Sequence, residues 1–313
     1  MKPNAIVVVG MHRSGTSAVS GLLSELGVFM GSSLFAPQKG VNEKGFFENS
    51  LLVDLNDRLL DEQLLSWDHP LALCIDPEIA ESLAGYSAQA QHLLDKDYAK
   101  KTLWGMKDPR TTLLLPFWRE VLESRGIKIN FVLMLRSPME VHGSLKKRDG
   151  FSINKSMHLW LNYTLSGYIG AKGLNPFILK YQDLLNSPDD SATKIFEHFE
   201  ISVGQNPQKQ SFIDKKLKNQ QAVEIPDEPL VKLAMDVYET LSSDVVDEVR
   251  LSESVNEYKA YLASLSGVLS EHLSAVKTEE VYFKRHFLDA YESIWWKLSW
   301  PLKKVESFLR TKY

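Results

Sequence analysis

A short stretch near the start of the chain, GMHRSGTS at residues 10 to 17, gathers residues that bind anions. It follows the apolar run AIVVV and precedes an apolar-patterned helix, so we predict a glycine loop between a strand and a helix. Such a loop presents backbone N–H groups and the positive end of a helix dipole. Arg13 adds a fixed positive charge, and Ser14, Thr16 and Ser17 add hydroxyl donors.

The loop differs from the phosphate loop of nucleotide hydrolases, which reads G-x-x-x-x-G-K-[ST]. Gly10, Gly15 and Ser17 keep this frame, but Thr16 stands in the place of the lysine. The lysine-bearing loops bind Mg²⁺ together with an acidic residue at the end of another strand. The residues that follow the other predicted strands therefore decide which anion is bound.

Basic residues follow two of these strands. Arg136 comes directly after the run KINFVLML, and Lys107 comes after TLWGM, followed by Asp108 and Arg110. The carboxyl ends of parallel strands meet at one edge of a sheet, so we expect these cations to lie beside Arg13. A cluster of this kind can neutralise a polyanion directly, and we expect no metal ion.

Short apolar runs alternate with helical patterns through most of the chain, at residues 5–9, 102–106, 129–135 and 177–180. This alternation indicates an α/β protein with a three-layer, phosphate-loop-like fold, in which a parallel sheet lies between helices. The stretch SPME predicts a helix with Ser137 at its N-cap and Glu140 closing a capping box. The stretch between Gly31 and Glu48 lacks periodicity and is predicted to be a long functional loop.

Residues 1–243 are predicted to form this α/β domain, and residues 244–313 a helical C-terminal extension without strands. The segment 294–313 has one apolar face edged with tryptophans and five cations. That face suits peripheral contact with an anionic membrane, and it suits equally well packing on the protein itself or on a partner.

Composition sets broad limits on function. The formal net charge of -4 over 313 residues gives no general attraction for nucleic acid, so no such partner is expected. The single cysteine, Cys74, excludes an internal disulfide and a zinc site built on thiolates, which fits a reducing compartment. With only Lys2 before the first strand region and no long apolar run, we expect a cytoplasmic protein. The oligomeric state stays open.

Three stretches, in order, resemble the sulfotransferase superfamily, whose donor is 3'-phosphoadenosine 5'-phosphosulfate (PAPS). GMHRSGTS resembles its 5'-phosphosulfate loop, RSPMEVHGSLKKR its 3'-phosphate motif, and FILKYQDLLNSP its late strand with a tyrosine near the adenine. The resemblance spans about residues 5 to 240 and implies the phosphate-loop-like fold. The donor-binding residues that it implies are Arg13, Ser14, Gly15, Thr16, Ser17, Arg136, Ser144 and Tyr181.

The resemblance also implies catalytic roles. Arg13 and Lys107 would stabilise the sulfuryl oxygens and the departing phosphate. The K-x-H pattern that supplies the base in the eukaryotic cytosolic branch is absent, because Asp108 and Pro109 follow Lys107. Other branches use a glutamate in the loop after the first helix, and Glu48 has this place in the order.

Other candidates for the base stay open. Glu43 and Asp108 are rivals of Glu48, and Glu48 could instead be an exposed residue at the start of a helix. Asp108 and Arg110 are also candidates for contact with the acceptor, although Arg110 could simply bind Asp108. Trp67 could stack on a sugar ring or on adenine, and His12 is left unassigned.

The predicted reaction moves a sulfuryl group from PAPS to an acceptor hydroxyl and releases 3'-phosphoadenosine 5'-phosphate (PAP). Stretches around residues 44–60 and 104–118 resemble a bacterial branch found with polysaccharide and glycolipid genes, so the expected acceptor is a glycan or glycolipid. Two alternatives stay open: a non-catalytic scaffold that binds PAPS or glycans, and an ATP-dependent small-molecule kinase.

Overall fold

The computed structural model describes residues 3–36, 45–202 and 226–299. Within these ranges the strands are β1 Asn4–Val9, β2 Leu103–Lys107, β3 Lys128–Leu135 and β4 Phe177–Lys180. They form one sheet in the order β2-β1-β3-β4, and every neighbouring pair is parallel. The four strands predicted from the sequence are confirmed, each within one residue at its ends.

Helices occupy most of the remaining described chain. They are α1 Thr16–Glu25, α2 Ser50–Glu62, α3 Glu78–Ser82, α4 Ser87–Asp97, α5 Leu115–Ser124, α6 Pro138–Asp149, α7 Ile153–Gly170, α8 Tyr181–Asn186, α9 Pro188–His198, α10 Pro229–Ser242, α11 Glu248–Glu292 and α12 Ile294–Leu298. Of these helices, none combines the length and the apolar composition needed to cross a bilayer.

Helices cover both faces of the sheet, and alternate residues of β1 show how. Ala5, Val7 and Val9 point into a large core shared with α2, α5, α7 and α10. Ile6 and Val8 point to the opposite face, into a smaller core shared with α1, α8 and α9. Burial on both faces explains why β1 reads as a continuous apolar run instead of alternating. The predicted α/β fold, with a parallel sheet between two helical layers, is confirmed.

The predicted capping box at the start of α6 is wrong. Ser137 occupies the N-cap, but its side chain makes no capping hydrogen bond. Glu140 instead accepts a hydrogen bond from Arg136, with 2.8 Å between Nε and Oε2. Both partners of the bond between Arg136 and Glu140 are charged, whereas a capping box would pair the carboxylate with an uncharged backbone N–H, which explains the preference.

The predicted helical extension is confirmed by α11, whose 45 residues span about 67 Å. Its first turns pack into the core through Leu251, Val255 and Tyr258. The Tyr258 hydroxyl lies 2.7 Å from Asn162 Oδ1 and 3.1 Å from His158 Nδ1, both on α7. The division of the chain at residue 243 stays a prediction.

The distal part of α11 contacts the C-terminal end of α2. Lys277 and Lys284 form ion pairs with Asp61 at 3.1 and 2.6 Å, and Arg285 pairs with Glu62 at 3.4 Å. Residues 300–313, most of the predicted membrane-contacting segment, lie outside the described residues. The described beginning of that segment, α12, exposes apolar side chains: Ile294, Trp295 and Leu298.

Candidate functional site

The loop between β1 and α1 depends on glycine at two positions. Gly10 and Gly15 have φ angles of 136° and 96°, and Arg13 between them is also left-handed, with φ 69°. A Cβ atom on Gly15 would lie 2.5 Å from the Tyr181 ring, and one on Gly10 would lie 2.8 Å from the carbonyl oxygen of Met134. Only glycine lets the loop approach β3 and α8 this closely.

A side chain that follows β2 fixes the first glycine of the loop. The Gly10 N–H donates to Thr112 Oγ1 at 3.0 Å, and both groups are buried. Thr112 ends a 3₁₀ turn, Pro109–Thr112, whose N-cap Asp108 accepts a hydrogen bond from the Arg110 backbone N–H. This contact sets the loop against the carboxyl end of β2.

The predicted donor-binding residues beyond the loop contact either Arg13 or one another. Arg13 Nε donates to Ser144 Oγ at 2.9 Å, and Arg136 Nη1 donates to the Arg13 carbonyl oxygen at 2.8 Å. The Arg136 guanidinium also lies over the Tyr181 ring, 4.1 Å from its centroid. Burial, together with the charges of Arg148 and Arg136, lowers the pKa of Arg13. Like charges held this close favour an anion between them.

Lys107 and Glu48, the predicted catalytic pair, are in direct contact. Lys107 Nζ donates to Glu48 Oε1 at 2.5 Å, and at 3.0 Å each to Ser17 Oγ and the Phe46 carbonyl oxygen. The Lys107 side chain is 2% exposed and that of Glu48 14% exposed. Burial lowers the pKa of Lys107, and the carboxylates of Glu48 and Asp108 oppose that shift. The rival candidate Glu43 lies outside the described residues.

Asp108 and Arg110 belong to an internal network. Asp108 is fully buried; its Oδ2 accepts from Asn56 Nδ2 at 2.8 Å and its Oδ1 from Arg110 Nη1 at 2.9 Å. Arg110 Nε also lies 2.7 Å from Asp57 Oδ1. Burial lowers the pKa of Arg110, but these two carboxylates outweigh it and leave the pKa raised. Both oxygens of Asp108 are thus bonded within the protein.

Asn56 is a member of this network that sequence reasoning missed. Besides Asp108 it contacts Thr111 Oγ1 at 3.0 Å, and its Oδ1 accepts from Trp118 Nε1 at 2.7 Å. It is fully buried on α2, between Leu52 and Leu59. Its one signal in the sequence was its place as a polar residue on the apolar face of a helix, because a buried amide needs hydrogen-bond partners.

A cavity of about 290 Å³ opens between the glycine loop and the end of β2. Four cations and two carboxylates line it, beside hydroxyl and aromatic groups. The lining residues are His12, Arg13, Thr16, Ser17, Phe46, Glu48, Trp67, Lys107, Pro109, Arg110, Arg148 and Asp149. The predicted catalytic residues and part of the predicted loop therefore share one pocket.

Trp67 and the unassigned His12 form one wall of this pocket. The centroid of the Trp67 ring lies 4.7 Å from that of His12 and 5.9 Å from that of Phe151. The Arg148 guanidinium lies 5.3 Å from the Trp67 centroid. His12 also contacts Tyr163, ring to ring, at 5.7 Å. Burial, followed by the charges of Arg110, Arg148 and other cations, holds the pKa of His12 well below its usual value, so its imidazole is neutral. Stacking of Trp67 on a ligand stays a prediction.

No family model and no curated protein matches this sequence. Among solved structures, the chain is similar to the sulfotransferase domain from the Synechococcus PCC 7002 olefin synthase, at 13% identity and a TM-score of 0.40, over 82% of this chain and 95% of that domain. It is also similar to the sulfotransferase domain from the curacin biosynthetic pathway, at 14% identity and a TM-score of 0.38, over 82% and 98% of the two chains.

Proposed function

We propose that the protein is a sulfotransferase that moves a sulfuryl group from PAPS to a hydroxyl group of an acceptor and releases PAP. One observation carries this proposal: Arg13, Lys107 and Arg136 converge on a glycine loop at the carboxyl ends of parallel strands. Ligands of open α/β sheets bind at this edge. Fixed cations there stabilise the negative charge that a leaving phosphate develops.

The donor would be held along the line of contacts that runs from the pocket to Tyr181. Arg13 and the loop up to Ser17 would bind the phosphosulfate, with the N–H groups of the first turn of α1. Arg136 and Ser144 would bind the 3'-phosphate, and the adenine would lie beside Tyr181. The bonds of Arg13 to Ser144 and to Arg136 support this order, because they join the two ends of the donor site.

Transfer needs one base and charge stabilisation. Glu48 would accept the proton of the acceptor hydroxyl while the acceptor oxygen bonds to sulfur and the bond between sulfur and the phosphate oxygen breaks. Lys107 and Arg13 would stabilise the charge left on that phosphate. The contact of Lys107 with both Glu48 and Ser17 supports these roles, since it connects the base to the loop.

A kinase function is the less favoured alternative. A Mg²⁺-dependent kinase with this loop would use an acidic residue at a strand end. Here β2 ends with Lys107, Arg136 follows β3, and the carboxylate of Asp108 is bonded to Asn56 and Arg110. Phosphate transfer from ATP that requires Mg²⁺ would favour the kinase, and failure to turn over PAPS despite binding PAP would favour the scaffold.

The proposed acceptor is a hydroxyl of a glycan or glycolipid, and the proposed location is the cytoplasm. A buried thiol at Cys74, without a disulfide partner, suits a reducing compartment. We also propose peripheral membrane contact through residues 294–313, which the exposed side chains of Ile294 and Trp295 support.

The direct test combines binding and turnover. Titration calorimetry should show that PAP binds the purified protein, and incubation with PAPS labelled in its sulfur should transfer label to a glycan or lipid fraction of the source cell. The matched control is Arg13→Ala, which should lose both. Absence of PAP binding in the wild type would refute the proposal.

A further inference from the structure

The imidazole of His12 lacks a hydrogen-bond partner in the described part of the chain. Its Nε2 atom is shielded from solvent, and no donor or acceptor of the described residues bonds to it. Buried polar atoms without a partner are rare in folded proteins, because each one costs free energy that a hydrogen bond would recover. The missing partner of His12 therefore needs an explanation.

The glycine loop holds this imidazole at a fixed place. His12 is the second residue of a four-residue turn, which the Ser14 N–H closes by donating to the Met11 carbonyl oxygen at 3.1 Å. The Met11 side chain is 1% exposed and belongs to the large core, which anchors the turn. The chain then continues into the residues that we propose to bind the phosphosulfate. His12 is thus a preorganised member of that loop.

Two polar neighbours of His12 are already bonded elsewhere. Tyr163, whose ring centroid lies 5.7 Å from that of His12, donates its hydroxyl to the Trp67 carbonyl oxygen at 2.8 Å. Lys107, which lines the cavity together with His12, donates to three oxygen atoms of the protein, as many as its ammonium group has N–H bonds. Neither group is left to supply the missing bond, which favours a partner among the molecules that enter the cavity.

The cavity that His12 lines is the reaction end of the proposed site. Arg13, Ser17, Lys107 and Glu48, which we propose to bind the phosphosulfate or accept the proton, line it as well. Its described lining does not include the side chains proposed to bind the 3'-phosphate and the adenine. A ligand group beside His12 is therefore the transferred sulfuryl group or the acceptor hydroxyl, and not the nucleotide.

Charge favours the sulfuryl group. Burial and the four cations that line the cavity hold the pKa of His12 well below its usual value, so the ring is neutral and carries one N–H. The same cations attract an anionic oxygen to this place. The acceptor hydroxyl has a single proton, which goes to Glu48 in the proposed reaction, so it cannot also donate to His12.

We infer that His12 binds the transferred sulfuryl group by donating its imidazole N–H to a non-bridging sulfuryl oxygen. This inference rests on the proposed sulfuryl transfer and adds a residue to it. In that step the acceptor oxygen bonds to sulfur, and the bond from sulfur to the phosphate oxygen breaks, with its electron pair left on the phosphate. The acceptor proton goes to Glu48, and His12 keeps its own. The hydrogen bond from His12 sets the direction of the sulfuryl group towards the acceptor oxygen.

Turnover and PAP binding test the inference. His12→Phe keeps a ring against Trp67 and Tyr163 but removes both nitrogens, so turnover of labelled PAPS should fall by roughly 100-fold. PAP affinity should stay that of the wild type, because PAP lacks the sulfuryl group. His12→Gln returns an amide N–H donor and should restore most of the lost turnover. His92→Phe, the same change at an exposed position of α4, is the matched control and should retain full turnover.

Hydrolysis of PAPS without an acceptor shows which substrate His12 contacts. Water then takes the place of the acceptor, so His12→Phe should slow hydrolysis by the same factor as transfer. Slower transfer with an unchanged rate of hydrolysis would place His12 against the acceptor and overturn the inference.

Urea unfolding separates a role in binding from a role in folding. His12→Phe removes a buried polar atom that has no partner, so the urea midpoint should not fall. A lower midpoint together with weaker PAP binding would make His12 a structural residue and overturn the inference, as would equal turnover by wild type and His12→Phe. A wild type that binds PAP but transfers no sulfur from PAPS would instead refute the proposed function, and the role of His12 with it.

Discussion

The strand-end site and helix α11 are organised in opposite ways. In the site, the charged side chains of Lys107 and Asp108 are buried, and they are bonded to Glu48 and to Arg110 respectively. In α11, apolar side chains such as Phe283 are exposed, while nearby cations bind α2. Buried charge needs specific partners at specific distances, whereas an apolar stripe needs only periodicity. The first region is therefore defined by residue types and the second by spacing.

The largest expected effect is on the site. Glu48→Gln should lower turnover by roughly 100-fold to 10,000-fold, because the amide cannot accept the proton of the acceptor hydroxyl. PAP affinity should change little, which labelled-PAPS assays and calorimetry on the same samples would show. Asp54→Asn, an exposed change on α2, is the matched control and should retain full activity. Full turnover by Glu48→Gln would show that a group other than Glu48 accepts the proton.

The contact between α7 and α11 should depend on pH. Burial lowers the pKa of His158 to about 4, below the ordinary value of about 6.5. As pH falls, His158 is protonated in the unfolded chain before it is protonated in the folded protein. The free energy of unfolding is therefore highest above about pH 6.5 and decreases by about 3 kcal/mol as pH falls to about 4.

Urea unfolding of wild type and His158→Gln across this window would measure the effect. The variant should show a flatter dependence on pH, since the other histidines are common to both proteins. Identical pH profiles would show that the α7–α11 contact does not include a buried neutral imidazole.

Donor binding should depend on Arg136. Arg136→Ala removes the bond to the Arg13 carbonyl oxygen and the cation nearest Tyr181, so PAP affinity should fall by about 2 kcal/mol, roughly 30-fold. Arg119→Ala removes an arginine of α5 that pairs with Glu123, and it should leave PAP affinity unchanged. Calorimetry measures the PAP affinity of both variants. An equal loss of affinity in the two would mean that PAP binding depends on the overall positive charge of the protein.

The smallest expected effect is at the anchor of the loop. Thr112→Val keeps the shape of the side chain but leaves the Gly10 N–H without its acceptor, which should lower the free energy of unfolding by about 1 to 2 kcal/mol. Thr193→Val, on α9, should cost less because this residue is exposed. Denaturant unfolding measures both, and a neutral Thr112→Val would mean that the loop holds its shape without β2.

Part of the site could be predicted from sequence because a few residues in order define it. GMHRSGTS and the basic residues after the strands are local features, and the strands are continuous apolar runs. The fold then brings Arg13 and Ser144 together although 131 residues separate them. The sequence does not encode such a meeting locally, so it was available only through the resemblance to a known family.

Other features could not be predicted because they depend on choices among partners. Glu140 could have capped its own helix, but it accepts a hydrogen bond from Arg136 instead. The bonds of Asn56 to Asp108 and Trp118 join residues 52 and 62 positions apart. For α11 the sequence predicted a helix but not where its burial ends. The same apolar spacing begins inside the core and continues outside it.

Helix α2 links these two regions physically. Its N-cap, Asn49, directly follows Glu48, and its last turn carries Asp61 and Glu62, which bind α11. The helix is about 20 Å long and stiff over that length. It therefore joins the segment that carries the proposed proton acceptor, at one end, to the ion pairs with α11 at the other.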